Sequence, residues 1–283
     1  MYIILYLPYG IDRNGGNMAD RKHPPHLEIG DYAYAENREM KEIHIPEGTV
    51  RIGKHAFYNC RALETVYLPH GGIEIEDGSF KNCHNVSHIF LQHGDGDCTC
   101  LKDILYDMNQ EITVTVSYGE DDMAVLLFPH YEYEYIANEP ARIFSEVGYG
   151  AGYLYQQCFY NARIDYPRYD SLWNRACVSE DISVLARILS YRLRFPYGLT
   201  PEAAHSYRAY WEEHTEKLLT WYMTEHDMDS LRHFLEKTEK RTELLSLAKN
   251  IASFLGQPEL ISFLLDFENR LGGTHSASER FQL

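Results

Sequence analysis

Apolar residues recur along this chain with a period of 23. Ile29, Ile52 and Ile75 form one column, and Ala33, Ala56 and Ser79 a second. Tyr34, Phe57 and Phe80 follow, then Met40, Leu63 and Val86. Two columns continue one step further, as Ile43, Val66, Ile89 and Ile112 and as Ile45, Leu68, Leu91 and Val114. Cys60 and Cys83 share another position, with Asn37 as their counterpart in the first repeat. A period of this length marks stacked units, each too small to bury its own apolar face and stable only against its neighbours.

The spacing within a unit predicts its elements. Ile43-x-Ile45, Val66-x-Leu68 and Ile89-x-Leu91 alternate with period two, so each pair faces inward from one short strand. Pro46 and Pro69 end two of these strands, because proline has no N–H to offer the ladder. Ala56-Phe57 and Ser79-Phe80 predict one helical turn whose rings plug the space between units. The residue between two inward ones points outward. That column reads His44, Tyr67, Phe90 and Thr113, flanked by Glu42, Thr65, His88 and Glu111. Tyr and Phe are favoured interface anchors, so the column is the candidate binding face. The competing expectation is that the C-terminal half folds back and covers it.

The unit Ile52-Gly53-Lys54-His55-Ala56-Phe57-Tyr58-Asn59-Cys60-Arg61-Ala62-Leu63-Glu64-Thr65-Val66-Tyr67-Leu68-Pro69 resembles the BspA-type leucine-rich repeat, approximately I-x-x-x-A-F-x-x-C-x-x-L-x-x-I-x-I-P. The match is close in the second and third repeats and looser in the first. In the fourth only the strand 112–116 survives. The resemblance implies a curved solenoid with a parallel sheet on one side, used to bind proteins or surfaces rather than for catalysis. Many relatives are exported adhesins, whereas no export signal is evident here.

After Ser117 the period disappears. Residues 118–199 hold 12 of the 23 Tyr and seven Arg but no Lys, an interface-like composition. Tyr131-Glu132-Tyr133-Glu134-Tyr135 and Ala141-Arg142-Ile143-Phe144 lie in this tract. Helical spacing then takes over: Ile182, Leu185, Ile188 and Leu189 form one stripe, and Leu218, Leu219 and Tyr222 belong to another. Thr200-Pro201-Glu202 is a helix start, with Thr as N-cap and Pro at the first position. Leu231, Phe234 and Leu235 recur 29 residues on as Leu260, Phe263 and Leu264, after the turns Asp227-Met228-Asp229 and Gly256-Gln257-Pro258. Leu244, Leu247, Ile251 and Leu255 lie on the helix between, so paired antiparallel helices of the ankyrin-like or another α-solenoid kind are expected. From Gly272 onward the chain is polar and expected to fray.

Composition narrows the function. The formal charge of −16 over 283 residues, spread evenly, argues against non-specific nucleic-acid binding. No apolar run reaches the length of a membrane span, and Tyr2–Leu7, broken by Pro8, lacks the basic flank of a secretory signal. Six Cys are too few for a disulfide scaffold, so a reduced, cytoplasmic protein is the default, with export by an unrecognised route as the alternative. The first 26 residues admit two readings. Asn14-Gly15-Gly16-Asn17 could be encoded by a ribosome-binding site, making Met18 the start. Alternatively Leu5-Tyr6-Leu7-Pro8-Tyr9-Gly10 imitates Val66-Tyr67-Leu68-Pro69-His70-Gly71 and forms a capping strand.

Other candidate chemistry is incomplete. Gly148, Gly150 and Gly152 lack the third glycine of a dinucleotide fingerprint, because position 153 is Tyr, and no Gly-Lys-Ser/Thr follows. His93, Cys98 and Cys100 could form only part of a zinc site, and Cys83 is a column residue that should point into the core. Cys158 could be a nucleophile, but no base is assigned to it. Asn85-Val86-Ser87 is a formal glycosylation sequon, and Glu212, Glu213 and Glu216 read as a solvated helix face.

The sequence therefore predicts an α+β multidomain chain: an N-terminal cap or leader at 1–26, a leucine-rich-repeat solenoid of about four units at 27–117, and an all-α domain at 118–283. It predicts a non-enzymatic interaction scaffold with a neutral or basic protein partner, no nucleic acid, no membrane, no cofactor, no metal and no catalytic residue. The alternative is an enzyme or metal-dependent regulator with its site in the Tyr/Arg/Gly-rich segment 118–170.

Overall fold

The computed structural model describes residues 3–4, 26–94, 96–119, 122–138 and 143–279. Met18 and the segment 5–10 lie outside them, as do the first two residues of the expected 141–144 motif. The chain divides into two compact units, Met1–Glu180 with Phe195–Ala203, and Asp181–Arg194 with Ala204–Leu283.

The first unit begins as a coil of short strands: β1 (Ile3–Ile4), β2 (Leu27–Ile29), β3 (Glu42–His44), β4 (Thr49–Ile52), β5 (Thr65–Leu68), β6 (Glu74–Ile75) and β7 (His88–Leu91). Helix α1 (Thr99–Tyr106), β8 (Ile112–Ser117) and β9 (Met123–Phe128) follow. Each coil feeds two parallel sheets rather than the single one expected. One has the order β1-β3-β5-β7-β8-β9 and the other β2-β4-β6. The second sheet is built on the Ile29, Ile52 and Ile75 column, where Ile29 pairs with Ile52 and Ile52 with Ile75. Met40, Ile43, Leu63, Val66, Val86 and Ile89 are buried between the sheets, as the 23-residue columns require. Strand β1 pairs Ile3 with Ile43.

Between the two sheets the chain makes turns, not the helical turn expected from Ala56-Phe57 and Ser79-Phe80. Alternate amides serve different partners. Tyr34, Phe57 and the residues two away on either side donate to the next coil: Tyr34 N–H to the Ala56 carbonyl at 2.8 Å and Phe57 N–H to the Ser79 carbonyl at 2.8 Å. Intervening amides bond back within the coil, as Ala56 N–H does to Gly53. The pattern needs left-handed backbone at two positions per coil. Tyr32, His55 and Gly78 occupy one (φ 56°, 53° and 66°), and Glu36, Asn59 and Asn82 the other (65°, 62° and 66°). A helix would have satisfied each coil alone; this geometry hydrogen-bonds it to the next. The rings then stack between coils, Tyr34 on Phe57 at 5.3 Å and Phe57 on Phe80 at 4.9 Å. The cysteine column does similar work. Cys60 Sγ–H donates to the Tyr34 carbonyl and Cys83 Sγ–H to the Phe57 carbonyl, each at 3.1 Å.

The stack ends where α1 replaces the next turn segment. Phe80 has no further coil to receive its amide, and the Asp107 carboxylate accepts it instead at 3.0 Å. The Gln110 side-chain amide donates to the carbonyls of Cys83 and Val86 at 2.9 and 3.2 Å. The Asp107 carboxylate thus stands where the carbonyl of the next coil would, and Gln110 ties its side chain to the same last coil.

The expected boundary at residue 118 is not a break between compact units, and the helical structure expected from there begins later. Strand β9 runs antiparallel to β8 and closes the large sheet. A hairpin of β10 (Glu132–Asn138) and β11 (Ile143–Tyr149) follows, then α2 (Ala151–Tyr155), a second hairpin of β12 (Phe159–Tyr160) and β13 (Arg163–Ile164), and helices α3 (Tyr166–Ser171) and α4 (Trp173–Ser179). Met123–Phe128 is a continuous apolar run, and such runs fit a doubly buried strand as well as a helix. Its outer edge is sealed by Tyr169, whose hydroxyl accepts from Leu127 N–H at 3.0 Å and donates to the Leu127 carbonyl at 2.7 Å.

The second unit is helical: α5 (Ile182–Arg194), the end of α6 (Pro201–Glu213), α7 (Thr215–Thr224), α8 (Met228–Lys237), α9 (Arg241–Phe254) and α10 (Pro258–Glu279). The expected start of α6 is present, with Ala203 N–H donating to Thr200 Oγ1. Helix α5 packs on α7 and α8, α7 on α8 and α9, and α9 on α10. Trp211 and Phe234 stack at 4.0 Å in the core, and the buried Tyr222 hydroxyl donates to the Ala186 carbonyl. On α9 the buried face is Leu244, Leu245, Ala248, Ile251 and Ala252, turned away from the expected Leu247 and Leu255. Gly256 has φ 67° and ends α9 as its sequence position predicts. Helix α10 continues to Glu279, past the expected fraying point at Gly272.

Candidate interaction surface on the repeat

Parallel registration places equivalent residues side by side, so the outward residues of β3, β5 and β7 line up across the large sheet. His44 pairs with Tyr67 and Tyr67 with Phe90. Their rings form a continuous stack, with centroids 4.0 Å apart for His44–Tyr67 and 4.8 Å for Tyr67–Phe90, tilted by only 4° and 9°. The spacing is close to the distance between hydrogen-bonded strands, so the sheet itself sets the stack. All three rings are half-buried, with Tyr67 stacked between the other two. The flanking column is Glu42, Thr65 and His88. Glu42 Oε1 lies 3.6 Å from His44 Nε2. His88 contacts Ser87 Oγ at 3.1 Å, and lost hydration holds its imidazole below the ordinary value, favouring the neutral ring.

The fourth rung corrects the sequence reading. Thr113 pairs with His88, not with the Phe90 column, and Thr115 pairs with Phe90. The inward partners shift likewise, Val114 to Ile89 and Val116 to Leu91, so Ile112 and Val114 are not the fourth members of their expected columns. Glu111 precedes the strand and is outside the paired ladder. The cause is the insertion of α1, which lengthens this coil by two residues. Ile112, Val114 and Val116 repeat with period two, so a two-residue slip keeps every side chain on its own face and leaves no trace in the apolar pattern.

The same rung bounds the surface. Thr113 is buried, and so are its neighbour Leu127 and the neighbouring Val125 beside Thr115. The outward face is covered at the β8–β9 end and half-open over β3, β5 and β7. The site residues that the structure gathers are therefore His44, Tyr67, Phe90, Glu42, Thr65 and His88; it separates Thr113 and Glu111 from them.

The remaining candidates resolve into packing. A β-carbon on Gly148 would overlap the Tyr153 ring, and one on Gly152 would overlap the Pro129 carbonyl oxygen, so both glycines permit close approach of neighbouring chain. Gly150 has φ 91° ahead of α2, a helix of five residues. Cys98 and Cys100 are buried and directed to different carbonyls, those of Gly94 and His70. Among the described residues no three His, Cys, Asp or Glu side chains are grouped closely enough to hold a metal ion. The Cys158 thiol is buried and pushed up to about 12, chiefly by loss of hydration, which opposes the thiolate that a nucleophile needs. Asn85 is exposed but its amide donates to the Arg61 carbonyl at 2.7 Å. No described helix is long and apolar enough to cross a membrane.

Sequence signals missed the second sheet, the left-handed columns and the Asp107–Gln110 cap. Only Gly78, Asn59 and Asn82 hinted at left-handed backbone, since Asn and Gly tolerate it. Comparison with known proteins bears on the repeat alone. Residues 27–113 match the family model of the BspA type leucine-rich repeat region, in six copies. No curated protein and no solved structure matches the chain significantly. With the 23-residue columns, the paired parallel sheets and this match, residues 27–113 are a BspA-type leucine-rich repeat solenoid, followed in the chain by a helical region.

Proposed function

We propose that the chain is a non-enzymatic scaffold whose repeat binds a protein partner through the His44–Tyr67–Phe90 column. The observation that carries this reading is the stack itself: three outward rings, half-open, held in register by parallel strands. An aromatic anchor already fixed by its neighbours loses little freedom on binding, so more of its contact energy survives as affinity. Glu42, Thr65 and His88 supply the polar rim that such anchors require. The formal charge of −16 favours a neutral or basic partner. We place the protein in the cytoplasm, a reading supported by six cysteines that are all free thiols.

The test is the double substitution Tyr67→Ala with Phe90→Ala. Central aromatic anchors are worth at least about 2 kcal/mol each, so partner capture should fall by more than about a hundredfold. Each ring contact removed costs only about 0.5–1.5 kcal/mol of stability beyond its buried area, so the variant should remain folded, with a small decrease in Tm. Unfolding of the variant would show the column to be internal packing. Undiminished capture by the folded variant would place the partner elsewhere.

A further inference from the structure

We propose that the groove around Trp221 in the helical unit is a docking site for a basic segment of a partner protein, an Arg or Lys side chain lying over the indole. Two open cavities, of about 600 and about 460 Å³, share Trp221 as a wall. The first is lined by Ile182, Glu213, His214, Glu216, Lys217 and Thr220, among others, and the second by Ser183, Arg187, Tyr191, Glu225 and Asp227. Trp221 differs from the other tryptophans of the chain. Trp173 and Trp211 are buried in cores, whereas Trp221 is half-exposed and meets the groove from both sides.

The lining decides the occupant. Four carboxylates border the groove against two cations, Arg187 and Lys217, so the lining is net acidic; Arg187 Nε donates to the Ser183 carbonyl at 3.0 Å. Asp227 is committed as the N-cap of α8, accepting from Ser230 N–H. Glu213 and Glu216 at one end and Glu225 at the other are exposed, and none forms an ion pair among the described residues. An indole face flanked by carboxylates attracts a cation twice, through the ring quadrupole and through charge. Arg or Lys adds an alkyl stem that suits the Ile182 and Thr220 side of the groove. A second copy of this chain is a poor occupant, because each copy carries −16. The inference does not depend on the ring column, which lies on another unit.

The experiment uses the full chain and three decapeptides of matched length, rich in Arg, Gln or Glu, with Trp221 as the fluorescent reporter. The Arg peptide should give a saturable, salt-sensitive change that the other two do not. In the triple variant Glu213→Gln, Glu216→Gln and Glu225→Gln, affinity should fall by about tenfold or more, although most of the acidic charge remains. Calorimetry on Trp221→Phe, a smaller aromatic that keeps the fold, should show weakened binding of the same peptide. Equal binding by the triple variant would overturn the proposal, since it would mean general attraction to an acidic surface. So would binding of the Gln peptide at the same strength, or no binding of the Arg peptide.

Discussion

Phe57→Ala will cost the repeat about 3–5 kcal/mol, a large share of the stability of a domain this size. Phe57 has no exposure to solvent and stacks on Tyr34 on one side and Phe80 on the other, so its removal opens a cavity between two interfaces at once. The surrounding backbone is poorly able to collapse into that space. Its amides are bonded to the next coil, Phe57 N–H to Ser79 and Asn59 N–H to Lys81. Tyr34→Ala is the matched control: Tyr34 is half-buried and stacks on one described neighbour, so the loss should be about half as large. Urea titration of both variants checks the gradient. A cost for Phe57→Ala no greater than that for Tyr34→Ala would contradict the view that ring stacking binds the coils together.

The second large effect is expected at the cap. Asp107→Ala with Gln110→Ala leaves the Phe80 amide and the Val86 carbonyl without their side-chain partners, while the Cys83 carbonyl keeps the Val86 N–H. A buried polar group stripped of its partner costs about 1–3 kcal/mol, so the double variant should lose about 3 kcal/mol. Asp107 also gives the cap a pH signature. Burial raises its carboxyl above the ordinary carboxylate value, and the Phe80 amide only partly offsets this. A raised value means that the folded state binds the proton more tightly than the unfolded one. The stabilisation linked to that proton is fully present below the ordinary value near 3.8 and is lost as pH rises through the raised one. Asp107→Asn keeps an acceptor for Phe80 but does not titrate. Wild type should therefore gain stability relative to this variant as pH falls from 7 toward 4. A constant difference across that range would show that Asp107 carries no linked proton.

These two sites also show where the sequence could be read. Phe57 is predicted from the chain alone, since a column of Tyr34, Phe57 and Phe80 at fixed spacing has no other use than interlayer packing. Asp107 is not. Its role is to stand in for a carbonyl, and one carboxylate after a helix has no periodic partner to reveal it. The same limit hid the second sheet: its β6 strand has only two residues, and two residues carry no alternation. The outward ring column was legible over three rungs, where His44, Tyr67 and Phe90 fall 23 apart. It failed at the fourth, because period-two residues look identical after a two-residue slip. The Tyr-rich composition of residues 118–199 reads as interface-like surface. Tyr155 and Tyr169 of this tract are instead fully buried, their rings 4.6 Å apart, with the Tyr169 hydroxyl bonded to the Leu127 backbone.

A ring column that meets another polypeptide, as proposed, can be captured by photocrosslinking. A benzophenone side chain is placed at position 67, at 90, or at the exposed turn residue Lys81 as control, and irradiated in cells that contain the native partners. An intermolecular adduct is expected from positions 67 and 90, its partner peptide identifiable by mass spectrometry, and none from position 81. Adducts from position 67 that join only residues of the same chain would contradict it, because the column would then be covered from within.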